Sequence, residues 1–409
     1  MSALRRAAWL LAPLALVQLA GPARAADPAP PDPYQQALQS IAEGRKNDAS
    51  ATLSSIVEQE PLHAGAWLDL ALIQCSLGHA DEAERLFQAI EKRFAPPPGI
   101  LELINAARQK GCTEWHPQSS YSVTLARGVD QNVNQGASNP FLNVDSDGAI
   151  ISLPLLPDFL PKHDQYSALW ADYTRDLTTN GTTGFVQLLE RRNDHLTHYN
   201  SSSLFTGVET PWRWGRWAAS ATATIGLFTL GGQYYQRQTQ GQIKIGTPLP
   251  PEHTDVLLTA AFSHNKFMTL SNFDAVTSEL RGQVNYRGHD SVLTTSLGWL
   301  LDHAQSDRPG GDRHGWNASV TGRRALAGPL IGEASFSEQN WRSDSDYSPG
   351  LIDIARRQTT RVGRMAMIWQ LNDVQSVQLE LRQVRNAENI SIFQYNDRQL
   401  QLSWQWQGR

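Results

Sequence analysis

The chain has 409 residues, enough for two to three ordinary domains, of which 18% are charged, 40% hydrophobic and 9% aromatic. Lys and Arg total 35 against 40 Asp and Glu, so the net charge is −5, and the broad basic surface that a nucleic-acid partner needs is excluded. Two Cys exclude a disulfide scaffold and a zinc ribbon. No apolar run reaches the roughly 18 to 20 residues of a spanning helix, so the chain is either soluble or crosses a membrane as a closed β-barrel.

Residues 1–25 read as a secretory signal peptide. Arg5 and Arg6 open it, Ala7 to Ala20 form a short apolar stretch, and Ala23-Arg24-Ala25 is a small-x-small cleavage site. Residues 26–33 are too Pro-rich for a helix and read as a linker. Removing the signal's three arginines takes the net charge from −5 to −8.

Residues 34–112 carry a helical pattern repeated every 34 residues. Ala37 matches Ala71, Gly44 matches Gly78, Ala49 matches Ala83, and Ile56 matches Ile90. Small residues let paired helices approach closely, and Gly permits a left-handed turn between them. The period and its small residues resemble the tetratricopeptide repeat, with a degenerate third unit from Leu101 to Gly111 as a cap. The segment is either a peptide-binding groove, with Trp67, Leu70 and Gln74 as client-binding candidates, or a scaffold that packs on its neighbour. Cys75 and Cys112 either pair, as an oxidising compartment allows, or stay as two buried thiols.

After Trp115 the period changes from 3.6 to 2. Between Val276 and Tyr286, Val276, Leu280 and Val284 face one way while Glu279, Arg281 and Gln283 face the other. Fourteen such segments begin near 119, 163, 183, 196, 215, 233, 254, 274, 291, 313, 329, 357, 374 and 392, and run 11 to 17 residues. Globular strands average about 5 to 6 residues, and membrane-crossing strands need about 9 to 11. A wet lumen holds mid-strand Glu, Arg and Gln, whereas a sandwich core excludes them. Eleven of the 13 Trp lie in this half, many at strand ends. Tight links at Thr178 to Thr183, Pro211 to Gly215, Pro248 to His253, Gly288 to Asp290, Ala327-Gly328 and Asn372-Asp373 alternate with long ones at 130–162, 267–273, 305–312 and 343–356. That alternation predicts an outer-membrane barrel with both ends of the chain on the periplasmic side. The apolar segment Ile150 to Pro161 in the first long link either plugs the lumen or lies outside on the membrane. The expected fold class is α + β in separate domains: a short α-helical tetratricopeptide-type repeat over 34–112, then a 14-stranded antiparallel transmembrane β-barrel over 113–409.

No catalytic, cofactor-binding or metal site is expected, and the chain does not read as an enzyme. His195 and His198, three apart on a strand, would point to opposite faces. HExxH, phosphate-loop and GxSxG motifs are absent from the sequence, and nothing ties His303 and His314 to a nucleophile.

Two stretches carry a resemblance: Gly128-Val-Asp-Gln-Asn-Val-Asn-Gln-Gly136 after the first strand, and Arg385-Asn-Ala-Glu-Asn-Ile-Ser-Ile-Phe-Gln-Tyr-Asn-Asp-Arg398 before the last. With the signal peptide, repeats and fourteen strands, the chain resembles the surface lipoprotein assembly modifier family. The resemblance implies a translocon that receives an exported protein or surface lipoprotein client at the repeats and passes it through the barrel. Its other partners would be outer-membrane lipids and the barrel assembly machinery, which would read Trp406. It implies that Asp130, Asn132 and Asn134 stand at the external end of the first strand. Arg385, Asn386, Asn389 and Arg398 would stand around the last hairpin, beside the seam. Loop Asn and Asp also serve plain turn roles. The competing classes are a polysaccharide-export porin and a general outer-membrane pore with a periplasmic repeat domain. Residues 113–409 hold 25 bases and 28 acids, with no bias toward either ligand charge.

Overall fold

A computed structural model of the chain describes residues 32–112, 117–146, 149–249 and 253–408. The signal-peptide reading at 1–25 and the linker up to residue 31 lie outside the described residues. Five helices come first: α1 (Pro33–Ala42), α2 (Lys46–Gln59), α3 (Ala64–Ser76), α4 (Ala80–Phe94) and α5 (Pro98–Lys110).

Local chemistry sets their limits. Asp32 caps α1 by accepting from Tyr34 N at 3.0 Å, with Pro33 in the first turn. Gly44 and Gly78, at φ +75° and +82°, make the turns that the repeat spacing predicted. Ala37, Ala49, Ala66, Ala71 and Ala83 are fully buried, so helices cross where a larger side chain would hold them apart. Leu53, Phe87, Ile90 and Ile104 fill the space between them. α5 is a single helix, held to its neighbours by a Cys75–Cys112 disulfide and by Arg108, whose guanidinium meets Glu84 at 2.9 Å and Glu91 at 2.7 Å. Of the two states open for the cysteines, the structure has the paired one.

The remaining described residues form sixteen strands, numbered in chain order, fourteen of which close a barrel. β1 (Ser119–Asp130) leads to the short strands β2 (Phe141–Ser146) and β3 (Ala149–Pro154). Then follow β4 (Asp164–Asp176), β5 (Thr183–Asn193), β6 (Ser201–Trp214), β7 (Trp217–Leu230), β8 (Gln233–Leu249) and β9 (Thr254–Phe267). Next are β10 (Ala275–Arg287), β11 (Ser291–Ala304), β12 (Arg313–Ala327) and β13 (Leu330–Ser348). The last are β14 (Ile352–Asn372), β15 (Gln375–Glu388) and β16 (Tyr395–Gly408). All neighbours are antiparallel, and β1 closes onto β16 from Tyr121↔Gly408 to Asp130↔Gln399. Full closure leaves no unpaired edge, which a strand in hydrocarbon requires.

Three expectations need correction. β6 starts at Ser201, not near 196, because Leu196 to Asn200 turns through a 3₁₀ segment at Thr197–Tyr199. His195 and His198 therefore sit in a loop, not on a strand. The long link at 343–356 is a continued hairpin: β13 runs to Ser348 and β14 starts at Ile352, with lengths of 19 and 21 residues. Finally, the 130–162 link contains the β2–β3 hairpin, which the sequence pattern did not reveal. That hairpin packs on the β15–β16 connection, where Ser391 Oγ accepts from Asn143 N and donates to Phe141 O, both at 3.1 Å. It caps a neighbouring loop, and Ile151, Leu153, Leu156 and Phe159 stay exposed.

The outward faces carry an apolar belt, including Met365, Met367, Leu379, Leu381, Leu400 and Leu402, all exposed. Trp212, Trp214, Trp217, Trp369, Trp404 and Trp406 border it at the end where the tight turns lie. The helices meet that same end. Arg213, beside the β6–β7 turn, pairs with Glu43 at 2.6 Å, and Asn47 donates to Thr179 in the β4–β5 turn.

Candidate functional site: lumen, mouth and seam

Alternation directs polar side chains into the barrel. Arg364 on β14 bridges Glu333 on β13 at 2.5 Å and Glu380 on β15 at 2.7 Å. Gln378 donates to the same Glu380 at 2.8 Å. Across the lumen wall, Glu279 accepts from Arg281 at 2.6 Å and from Asn317 at 2.9 Å. Beside Arg364 and Glu380 lies a cavity of about 480 Å³, also lined by Tyr166, Arg191, Arg382 and Gln401. This is a polar, charge-paired interior with both signs present, able to pass or hold polar material.

At the loop end, three buried carboxylates are each clamped by arginine. Asp302 meets Arg308 at 2.7 Å and Arg313 at 2.6 Å, and it accepts from Thr277 at 2.7 Å. Arg313 lies over the Trp341 ring at 4.7 Å. Glu388 meets Arg356 at 2.6 Å, and Arg356 stacks on Phe393 at 4.4 Å. Asp130 meets Arg191 at 2.5 Å, and Arg191 covers Tyr166 at 3.8 Å. These pairs line the barrel mouth: Arg308 pins its loop to β11, and the other two tie strand to strand.

The residues singled out from the sequence separate into two groups. Asp130, Asn132 and Asn386 are buried and structurally engaged. Asp130 also accepts from Gln399 of β16 at 3.0 Å, and Asn132 donates to the Asn396 carbonyl at 2.9 Å, so both tie the first strand's end to the last strand. Asn134 donates to Leu160 O at 2.8 Å and accepts from Lys162 N at 2.9 Å, folding the first loop onto itself. Asn386 donates to Phe393 O at 2.7 Å and accepts from Thr360 at 2.6 Å. Asn389 fastens the other side of that loop to β14, donating to Ala355 O at 2.8 Å. Arg385 and Arg398, by contrast, are exposed on the outward face.

In the helices, Leu70 is 5% exposed and belongs to the core, so it offers nothing to a client. Trp67 is half-buried, with Nε1 donating to Pro61 O at 3.1 Å and Arg93 over its ring at 5.1 Å. Gln74 donates to Ser50 at 3.0 Å. The exposed apolar residues of this unit are instead Leu38 on α1, Leu62 before α3 and Leu103 on α5. Sequence reasoning also missed Arg191, Asp302, Arg308, Arg313, Arg356 and Glu388. For all but Arg308, which lies in the β11–β12 loop, the one signal was a charge at the loop-proximal end of a strand's inward face. His303 pairs with Asp312 at 2.6 Å and His314 with Asp344 at 3.0 Å. Among the described residues no group of three or more His, Cys, Asp or Glu could hold a metal ion.

Residues 40–104 match the family model described as tetratricopeptide repeat. No curated protein matches the chain significantly. Solved structures resemble it at low identity. OmpTdeltaL8, a loop-deletion mutant of an outer-membrane protein of Vibrio cholerae, is 8% identical, covering 71% of this chain and 99% of its own, with a TM-score of 0.40. The outer-membrane channel DcaP of Acinetobacter baumannii is 9% identical, covering 71% and 97%, also at 0.40. An anion-selective porin from Comamonas acidovorans is 8% identical, covering 72% and 100%, at 0.38. The closed barrel with its outward apolar belt defines an outer-membrane β-barrel. This one carries a tetratricopeptide repeat unit ahead of its first strand.

Proposed function

We propose that the chain is an outer-membrane translocon. The repeats, in the periplasm, receive an exported protein or surface lipoprotein, and the barrel is its conduit to the surface. The observation that carries this reading is the docking of the helical unit on the tight-turn end, through Glu43–Arg213 and Asn47–Thr179. Short turns face the periplasm in outer-membrane barrels, so that contact holds a client-binding module at the inner mouth. Stacked repeats suit an extended peptide, and the polar, sign-balanced lumen suits a polypeptide better than a single-charge ligand. Leu38 and Leu103 are the apolar handles for the client. On this reading the membrane partner is outer-membrane lipid and the barrel assembly machinery inserts the chain.

The test is crosslinking from Leu38 and Leu103 in an outer membrane, with partners identified by mass spectrometry. A specific exported protein, lost when residues 34–110 are deleted, supports the translocon. Recovery of glycan-synthesis proteins moves the assignment to polysaccharide export, and recovery of no partner moves it to a general pore.

A further inference from the structure

Outward-facing arginines gather on one side of the barrel, just above the apolar belt. Register places Arg361 of β14 directly opposite Arg385 of β15, and Arg342 of β13 directly opposite Arg357 of β14. Arg398 of β16 stands opposite Gln383, diagonal to Arg385. All five side chains are exposed. Between the belt and the Arg342–Arg357 row, the outward carboxylate among the described residues of β13–β16 is Glu338, and Arg361 holds it at 2.8 Å. Arg342, Arg357, Arg385 and Arg398 make no ion pair with a described residue. Like charges directly opposite across a sheet repel; Glu338 offsets the Arg361–Arg385 pair only in part, and the Arg342–Arg357 pair has no such partner, so the patch calls for an external anion.

Directly below, the belt is dented. Gly322 and Gly363 face outward with nothing within 4 Å of where a Cβ would stand. Around them runs an apolar groove of about 540 Å³ lined by Leu293, Val320, Phe336, Met365 and Leu381. A second groove of about 590 Å³ continues it past Met367, Leu379 and Leu400. An amphiphile with anionic groups above and acyl chains below fits both features. Arginine's planar fork favours phosphate.

We propose that this face is a binding site for a phosphorylated glycolipid of the outer leaflet. Arg361, Arg385 and Arg398 hold its phosphates, Arg342 and Arg357 meet anionic sugar further out, and the Gly322–Gly363 groove takes acyl chain. The choice of leaflet rests on the orientation argued under Proposed function.

The test uses the full chain purified in detergent, with bound lipid measured by native mass spectrometry. The probes are phosphorylated lipopolysaccharide, its dephosphorylated form and phosphatidylglycerol. The site predicts retention of the phosphorylated glycolipid and loss of about tenfold in occupancy on dephosphorylation or in the R361Q/R385Q/R398Q variant. Filling the groove with G322V/G363V lowers occupancy while leaving every arginine in place, whereas K266Q, on β9, leaves it unchanged. Equal binding of phosphatidylglycerol, or unchanged occupancy after dephosphorylation, overturns the proposal even if the variants fail to fold. Client crosslinks that persist in a lipid-free variant separate this site from the translocon reading. Labelling of S345C from the periplasm alone overturns the leaflet assignment.

Discussion

Arg308, from the loop after β11, turns inward and sets Nη1 2.7 Å from Asp302 Oδ2, with both side chains almost wholly buried. Arg313 reaches the same oxygen at 2.6 Å from the next strand. One carboxylate thus fastens a loop to two strands. Removing a partner from a buried pair leaves a charge undercompensated. Arg308→Ala should cost about 2 kcal/mol, since Arg313 remains, while Asp302→Ala should cost more by stranding two guanidiniums. Urea unfolding of the refolded barrel measures both, and equal stability of all three proteins would contradict the clamp.

The seam offers a parallel case. Asp130 joins β1 to Arg191 of β5 and Gln399 of β16. Arg191→Ala should lower the temperature at which the barrel loses its compact mobility in unheated gel electrophoresis, and Asp130→Asn should lower it less, because the amide still accepts from Gln399.

Asp164 accepts from His195 N and Leu196 N, and pairs with the His195 ring at 2.9 Å. That hydrogen bond and its charge raise the His195 pKa above its ordinary value. A raised folded-state pKa means the ring's contribution is full below the unfolded value of about 6.5 and fades as pH rises through the folded value. A pH titration of the imidazole by nitrogen NMR should therefore find His195 protonated above the ordinary range, and Asp164→Asn should return it.

A Cβ on Gly136 would stand 2.3 Å from the Leu160 carbonyl carbon, which is backbone and cannot move aside. Gly136→Ala should release the first loop from its Asn132 and Asn134 anchors, at about 1 to 3 kcal/mol. The readout is faster protease cleavage within 137–163, with β1 and β4 still protected.

Cys75 and Cys112 close a span of 37 residues around α4 and α5. In the chain-entropy account a loop of that size adds roughly 4 kcal/mol. Reduction should free α5 and expose it to protease first, before any change in the barrel.

The barrel was legible because its alternation is long and regular: strands start at Ser119, Thr183, Gln233, Thr254, Ser291 and Arg313, where the pattern begins. Alternation reports lipid on one side and water on the other, so it fails where both sides are wet. The β13–β14 hairpin leaves the belt with charged residues on both faces, so the pattern stopped near 343 while pairing continued to Ser348↔Ile352. The mouth was less legible for another reason. Asp130 meets Arg191 across 61 positions and Gln399 across 269, distances at which local spacing carries no signal. Leu70 was misjudged because helical period identifies an apolar face without saying whether a neighbouring helix already covers it.

The most direct test places a photo-crosslinking residue at Leu103 on the repeats, at Gln242 on the lumen face of β8, and at Leu297 on the lipid face of β11. The account predicts that one and the same exported protein is captured at Leu103 and at Gln242, and not at Leu297. Capture at Leu103 alone, or of unrelated proteins at the two sites, would contradict a path from the repeats through the barrel.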